Sequence, residues 1–206
     1  DWAAPWPSTW RVPVWVRETR SCLVGKIGIV DHDRVSVSNL HRQIAHSQLG
    51  QLKVDSLRER LLALNPEISV ETFSNPLCRD NALQILQAYD LAIDATDNAA
   101  TRYLLNDACV LLKKPLISGA AVGYHAQLTT FLNRSAGAMA CYRCLHSLPP
   151  NAQLVVNCDE GGVMGPVVGM LGSLQALECL RLLTTGQPSM QQACLFYRLC
   201  GEDAHL

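Results

Sequence analysis

Along the chain, apolar residues recur at spacings that switch between two and three or four, and the switches mark out elements. Residues 26–30 form a short apolar run closed by Asp31, the pattern of a strand buried on both faces. Over residues 50–64, Leu52, Leu57, Leu61 and Leu64 recur near helical spacing, and Asn65-Pro66 stops the helix. Residues 68–73 alternate like a strand. Asp80 is placed to cap a helix over residues 81–88. Residues 90–97, DLAIDATD, read as another strand that ends in polar residues. A helix over 99–112, a strand starting at 115–118 and an alternating strand at 126–132 follow. Residues 166–183 make a long apolar helix, and 195–199 a last strand. Strands alternating with helices predict an α/β fold, a Rossmann-like, mostly parallel sheet flanked by helices. Such sheets bind ligands beyond the carboxyl ends of their strands, which directs attention to VDHD and DATDN.

The first 22 residues break this rhythm. They hold all four tryptophans of the chain and three prolines, whose spacing argues against a regular helix or a central strand. Residues 1–22 are therefore read as an atypical leader, and residues 23–206 as the folded domain. Of the 206 residues 49% are hydrophobic, enough for one sizeable core. A formal charge of -1 suggests neither nucleic acid nor a membrane surface as partner. The long apolar helix contains Gln175, Glu178 and Arg181, so it reads as buried rather than membrane-spanning. Nine cysteines include only one pair at metal-ligand spacing, Cys141 and Cys144, and the better reading is a reduced, cytoplasmic protein.

The two polar strand ends carry the chemistry. Asp31 is placed to accept hydrogen bonds from ribose hydroxyls. In the run SNLHRQ, Asn39 and Arg42 follow, and a guanidinium fork suits phosphate oxygens. Lys53 adds a point charge at the start of the next helix. Asp97 is a hard oxygen ligand for Mg²⁺, with Asn98 beside it. Together these are parts of a site that positions and neutralises a triphosphate. Taken singly, each has an ordinary explanation: Asp31 a turn residue, Lys53 a solvated helix charge, Arg42 a surface ion pair.

The combination is more specific. VDHD, SNLHRQ, a lysine on the next helix, DATDN, CYRC and NCDEGGVMGPVVG, in this order, resemble the ThiF/MoeB-like adenylating enzymes that activate ubiquitin-like proteins. The nearest branch is that of the molybdopterin-synthase sulphurylases, with their eukaryotic adenylyltransferase–sulfurtransferases. The resemblance implies ATP and Mg²⁺ as ligands, a ubiquitin-like sulfur-carrier protein as partner and a homodimer as assembly. It implies adenylation of the carrier's C-terminal Gly-Gly ahead of sulfur transfer, in molybdenum-cofactor synthesis and tRNA thiolation. By the same resemblance Asp31 holds ribose, and Ser38, Asn39, Leu40, His41, Arg42 and Lys53 hold phosphates. Asp97 binds Mg²⁺, Asn98 lies at the nucleotide, and Cys158 is a catalytic cysteine for acyl or persulfide transfer. Without the family, Cys158 is one of nine cysteines and reads as a buried, inert thiol.

Two features depart from the family pattern. Cys141 and Cys144 are half of a zinc site, and Cys194 and Cys200 are not spaced to complete it. The family's G-x-G-G-x-G loop precedes the VDHD strand, whereas here no glycine precedes Gly25. The sheet is therefore expected to lack its first strand–loop–helix unit, and the domain to be truncated at both ends relative to the family, with no rhodanese-like domain. The rival expectation is a catalytically impaired remnant that keeps a partner-binding or dimer surface.

Overall fold

A computed structural model describes residues 14–19, 22–133, 140–148, 162–188 and 194–198. The strands are β1 (Val14–Thr19), β2 (Cys22–Val30), β3 (Ser69–Phe73), β4 (Leu91–Asp94), β5 (Leu116–Val122), β6 (His125–Phe131) and β7 (Cys194–Arg198). The helices are α1 (Val37–Leu40), α2 (Lys53–Leu64), α3 (Ala82–Leu86), α4 (Ala99–Leu111), α5 (Tyr142–Leu145) and α6 (Gly165–Thr185). The strands form one sheet in the order β3-β2-β1-β4-β5-β6-β7.

The α/β architecture is Rossmann-like. Parallel pairing is confined to β2–β3 and β4–β5. The other neighbours are antiparallel, including β5–β6–β7. Both parallel pairs have helices in their connections, and so does the longer link from β6 to antiparallel β7, which carries α5 and α6. Two residues join β1 to β2 and two join β5 to β6, and links that short permit only hairpins.

Residues 14–19 overturn the reading of the leader. The prolines argued against a central strand, yet β1 lies between β2 and β4, with Val16 0% exposed. Pro5, Pro7 and Pro13 all precede Val14, and the run VWVRET is free of proline and rich in β-formers. The place of a first parallel strand is thus taken by a hairpin strand running the other way. Val14 stands in register with Ile29 and Ile93, so β1 begins where β2 and β4 end.

Each sheet face has its own core. On one, Val16, Ile27, Ile29, Leu91, Ile93 and Ile117 pack against α2 and α6 through Val54, Leu57, Leu61, Val167, Leu171 and Leu182. On the other, Val30, Ala92, Leu116 and Phe131 meet α3 and α4 through Leu86, Leu105, Ala108 and Cys109. Gly28 lets Tyr89 lie against β2: a Cβ there would sit 2.5 Å from the phenol ring. α6 is long and apolar enough to cross a membrane, but it lies on the sheet with Gln175 and Glu178 buried.

Helix ends follow local chemistry. Asn98 caps α4, its Oδ1 accepting from Thr101 N at 2.8 Å. Pro166 opens α6, and Gly186, at φ 69°, closes it in the left-handed conformation. The cap expected of Asp80 is not made. Asn81 holds the cap position of α3, and its side chain instead braces the preceding loop through Cys78 N and Pro76 O.

Candidate functional site

A cleft of about 180 Å³ opens at the carboxyl ends of β2 and β4, beside the start of β1. Its walls are residues 30–33, then Asn39, Arg42 and Gln43, Lys53 at the head of α2, Pro76 and Leu77 after β3, and Thr96, Asp97, Asn98 and Thr101 after β4. The fold therefore brings Asp31, Asn39, Arg42, Lys53, Asp97 and Asn98 together. Ser38, Leu40 and His41 do not line the cleft. The reason is helical spacing. The Arg42 and Gln43 amides both donate to Asn39 O, at 3.1 and 2.9 Å, so positions 39, 42 and 43 share one face of the turn. Ser38 acts from behind: its carbonyl accepts from Arg42 Nη1 at 2.8 Å.

The cleft wall holds two buried cations, Arg42 and Lys53, each 6% exposed. Lys53 Nζ lies 2.8 Å from Asp33 Oδ2 and 3.9 Å from Asp31 Oδ2. Burial pushes the Asp31 pKa above its ordinary value, while the Asp33 amide, 2.8 Å from Asp31 Oδ1, and the Lys53 charge work against that rise. Gln43, 2% exposed, keeps its side-chain oxygen without a hydrogen-bond partner. A buried acceptor of that kind is satisfied by a ligand donor or water. Two desolvated cations and an orphaned acceptor fit a polyanion bearing hydroxyl or amino groups. Asp97 is exposed at the mouth, where a carboxylate can meet a cation carried by such a ligand. The one cluster of three metal-ligating groups among the described residues is Asp31, His32 and Asp33, and Lys53 already contacts both of its carboxylates.

The sequence model of the ThiF family matches residues 21–204 of this chain. The chain belongs to the ThiF family. The adenylyltransferase and sulfurtransferase MOCS3 of Culex quinquefasciatus is 52% identical over 162 residues, covering 78% of this chain and 36% of the relative. The protein of the same name from Dictyostelium discoideum is 46% identical over 166 residues, covering 80% and 38%. The chain thus spans little more than a third of these relatives. In three dimensions it is similar to E. coli MccB, solved with MccA-N7isoASN, at a TM-score of 0.71 and 20% identity over 85% of this chain and 54% of that one. PaaA gives 0.67 and 18% over the same shares. At these identities the likeness speaks for the fold.

Several residues of this ThiF-family cleft were not singled out by sequence reasoning. Gln43 belongs to the SNLHRQ run and Thr96 to DATDN, so the helical turn and the strand end were the available signals. Pro76 and Leu77 carried none. The second strand end also differs from expectation in detail. β4 stops at Asp94, which is 0% exposed and accepts from Thr96 N, Thr96 Oγ1, Arg102 Nε and Ser118 Oγ at 2.7–2.9 Å. Burial works against the Arg102 charge, while Asp94 and Tyr142 together hold its pKa above the ordinary value.

Cys141, at the N-cap of α5, and Cys144, within it, have sulfurs 3.7 Å apart. Burial acts to raise the Cys141 pKa, but hydrogen bonds from Cys144 and the Arg143 amide outweigh it and lower the thiol. No third metal-ligating group joins this pair among the described residues. Cys109 and Cys179 are buried, with pKa pushed up to about 12, which marks inert thiols. Cys158 and Cys200 lie outside the described residues.

Proposed function

We propose that the chain is the adenylation domain of an enzyme that uses ATP to activate the C-terminal Gly-Gly carboxylate of a ubiquitin-like sulfur-carrier protein. A carboxylate oxygen attacks the α-phosphorus, the bond to the bridging oxygen breaks, and pyrophosphate leaves. In this reading Asp31 and Gln43 meet the nucleoside, and Arg42, Lys53 and Asn39 meet the phosphates. Ser38, Leu40 and His41 form the turn that aims them. Asp97 would hold Mg²⁺, which neutralises phosphate charge when bound, and Asn98 stands beside it. The acyl-adenylate is then open to attack by the Cys158 thiolate, with AMP as leaving group. The place in molybdenum-cofactor synthesis and tRNA thiolation, the family homodimer and a cytoplasmic location belong to the same proposal. Cys78, Cys109, Cys141, Cys144 and Cys179 are all unbridged, which suits a reducing compartment.

The observation that supports this reading best is the pair of buried cations in a cleft at the topological switch between β2 and β4. The test is ATP–pyrophosphate exchange with a carrier protein ending in Gly-Gly. Exchange that needs the carrier supports the reading, and exchange absent at saturating ATP and carrier opposes it.

One observation favours a second reading, a chain that keeps a partner or dimer surface but holds ATP poorly. β1 is antiparallel to β2 and β4, so the cleft meets the start of β1 rather than a strand-to-helix turn. Among the described residues, none supplies from that position the backbone N–H donors that such a turn would aim at phosphates. Losing two or three charge-assisted bonds weakens binding by about two orders of magnitude or more. Calorimetry of ATP into the chain, and into a version with residues 1–22 replaced by a strand–GxGGxG–helix segment, tests this. Micromolar affinity in the unaltered chain sinks the second reading.

A further inference from the structure

Lys53 is a long, flexible side chain, yet it sits at one point on the cleft wall. Its place is set by the segment after β2. Val35 N donates to Gln51 O and Gly50 N to Val35 O, each at 2.9 Å, so residues 33–35 run antiparallel to residues 50–53 as a short clip. Asp33 forms the inner end of that clip with both halves of the residue. Its main-chain carbonyl accepts from Lys53 N at 2.9 Å, which fixes the first turn of α2. Its Oδ2 accepts from Lys53 Nζ at 2.8 Å. Its own amide donates to Asp31 Oδ1 at 2.8 Å, which ties the clip to the end of β2.

Asp31 Oδ2 stands 3.9 Å from Lys53 Nζ. Asp55 follows in the first turn of α2, and His46 feels the Lys53 charge. His46 hydrogen-bonds Ser56 at 3.1 Å and has its pKa lowered to about 4, first by burial and then by the Lys53 charge, so at neutral pH it adds no repulsion. Asp31 is largely covered and tied to the Asp33 amide, whereas Asp33 is the exposed carboxylate that reaches over the amine.

We infer that Asp33 is a positioning residue for the adenylation proposed above: its carbonyl fixes the Lys53 main chain and its carboxylate holds the Lys53 ammonium at the cleft wall before a phosphate arrives. The inference rests on that reading for the identity of the anion but not for the clip itself. A pre-ordered ammonium gives up less rotamer freedom when it meets a phosphate, and that saving appears as affinity. Asp33→Asn keeps the shape and the backbone bonds while weakening the hold on the amine. Asp33→Glu keeps the charge on a longer arm.

Two measurements on the full chain test this. Without nucleotide, acetylation of individual lysines by a water-soluble active ester is followed by mass spectrometry. Lys53 should label about tenfold faster in Asp33→Asn than in the unaltered protein, because its charge-assisted bond is gone, with Lys26 unchanged. With nucleotide, the dissociation constant for ATP should rise about tenfold in Asp33→Asn and recover at least partly in Asp33→Glu. In a Lys53→Met background, Asp33→Asn should then change it by less than about twofold. Unchanged Lys53 labelling overturns the inference. So does a loss of ATP affinity that persists in full in the Lys53→Met background, or tighter ATP binding in Asp33→Asn. If the labelling contrast holds but the unaltered chain binds no ATP, the nucleotide reading fails and the Asp33–Lys53 clip stands.

Discussion

β2 and β4 flank the same strand, and an aspartate stands just after the one and at the end of the other, but the two carboxylates have opposite fates. Asp94 is fully buried and its oxygens are taken up by Thr96, Arg102 and Ser118. Asp31 lies at the cleft, bonded to one amide at 2.8 Å with Lys53 further off at 3.9 Å. A carboxylate whose acceptor sites are all used inside the fold is an anchor, and one that keeps sites facing a cleft can take a ligand. Position at a strand end does not separate these cases. Burial and partner count do.

The sharpest way to break the comparison is Asp94→Ala. It leaves Arg102 buried without its partner, and removing one member of a buried pair destabilises by about 3–5 kcal/mol. Denaturant unfolding should show a loss of this size, whereas a change below about 1 kcal/mol would mean that Asp94 is not an anchor. Asp97→Ala, three residues on at the exposed mouth, should do the reverse. Its stability should change by less than about 0.5 kcal/mol, while any ATP–pyrophosphate exchange falls by about two orders of magnitude or more. Unchanged exchange rejects the assignment of Asp97.

The next contrast lies within the loop after β2. Arg42 is buried in the cleft wall, and Arg34 is exposed and spends Nη1 on Gly50 O at 2.7 Å. Arg42→Ala should weaken ATP binding about tenfold or more, and Arg34→Ala by less than about threefold. Equal losses in parallel titrations would show that the turn does not read phosphate. The smallest effect concerns pH. The His46 pKa is lowered from 6.5 to about 4, chiefly by burial and then by Lys53. The unfolded chain takes up a proton that the folded chain refuses, so this contribution to stability is present above pH 6.5 and declines as pH falls toward about 4. Melting temperatures across that window should fall less steeply for His46→Gln. Parallel profiles would remove His46 as the cause.

The elements that depend on local pattern were legible in the sequence. β2, α2, β3, β4, α4, β5, β6, α6 and β7 lie within a few residues of their predicted positions, because apolar period, caps and breakers act over one or two turns of chain. The motif residues Asp31, Asn39, Arg42, Lys53, Asp97 and Asn98 also meet, because strands of such a sheet deliver their ends to one side.

What tertiary structure alone decided is of a different kind. The strand at residues 14–19 takes a central slot because burying Val16 between β2 and β4, and satisfying two rows of backbone groups there, outweighs the unpromising leader around it. The anchoring of Asp94 by Arg102 and Ser118 spans three separate elements. The hold of Asp33 on Lys53 reaches across 20 positions of sequence. Gly165 marks a close approach that no pattern reveals, since a Cβ there would lie 2.6 Å from His41 O and push the head of α6 off the Arg42 turn. Period and propensity place elements because they act along the chain. Which carboxylate is an anchor, which amine is held and which strand fills a slot are settled by contacts between distant segments, and those form only when the chain packs.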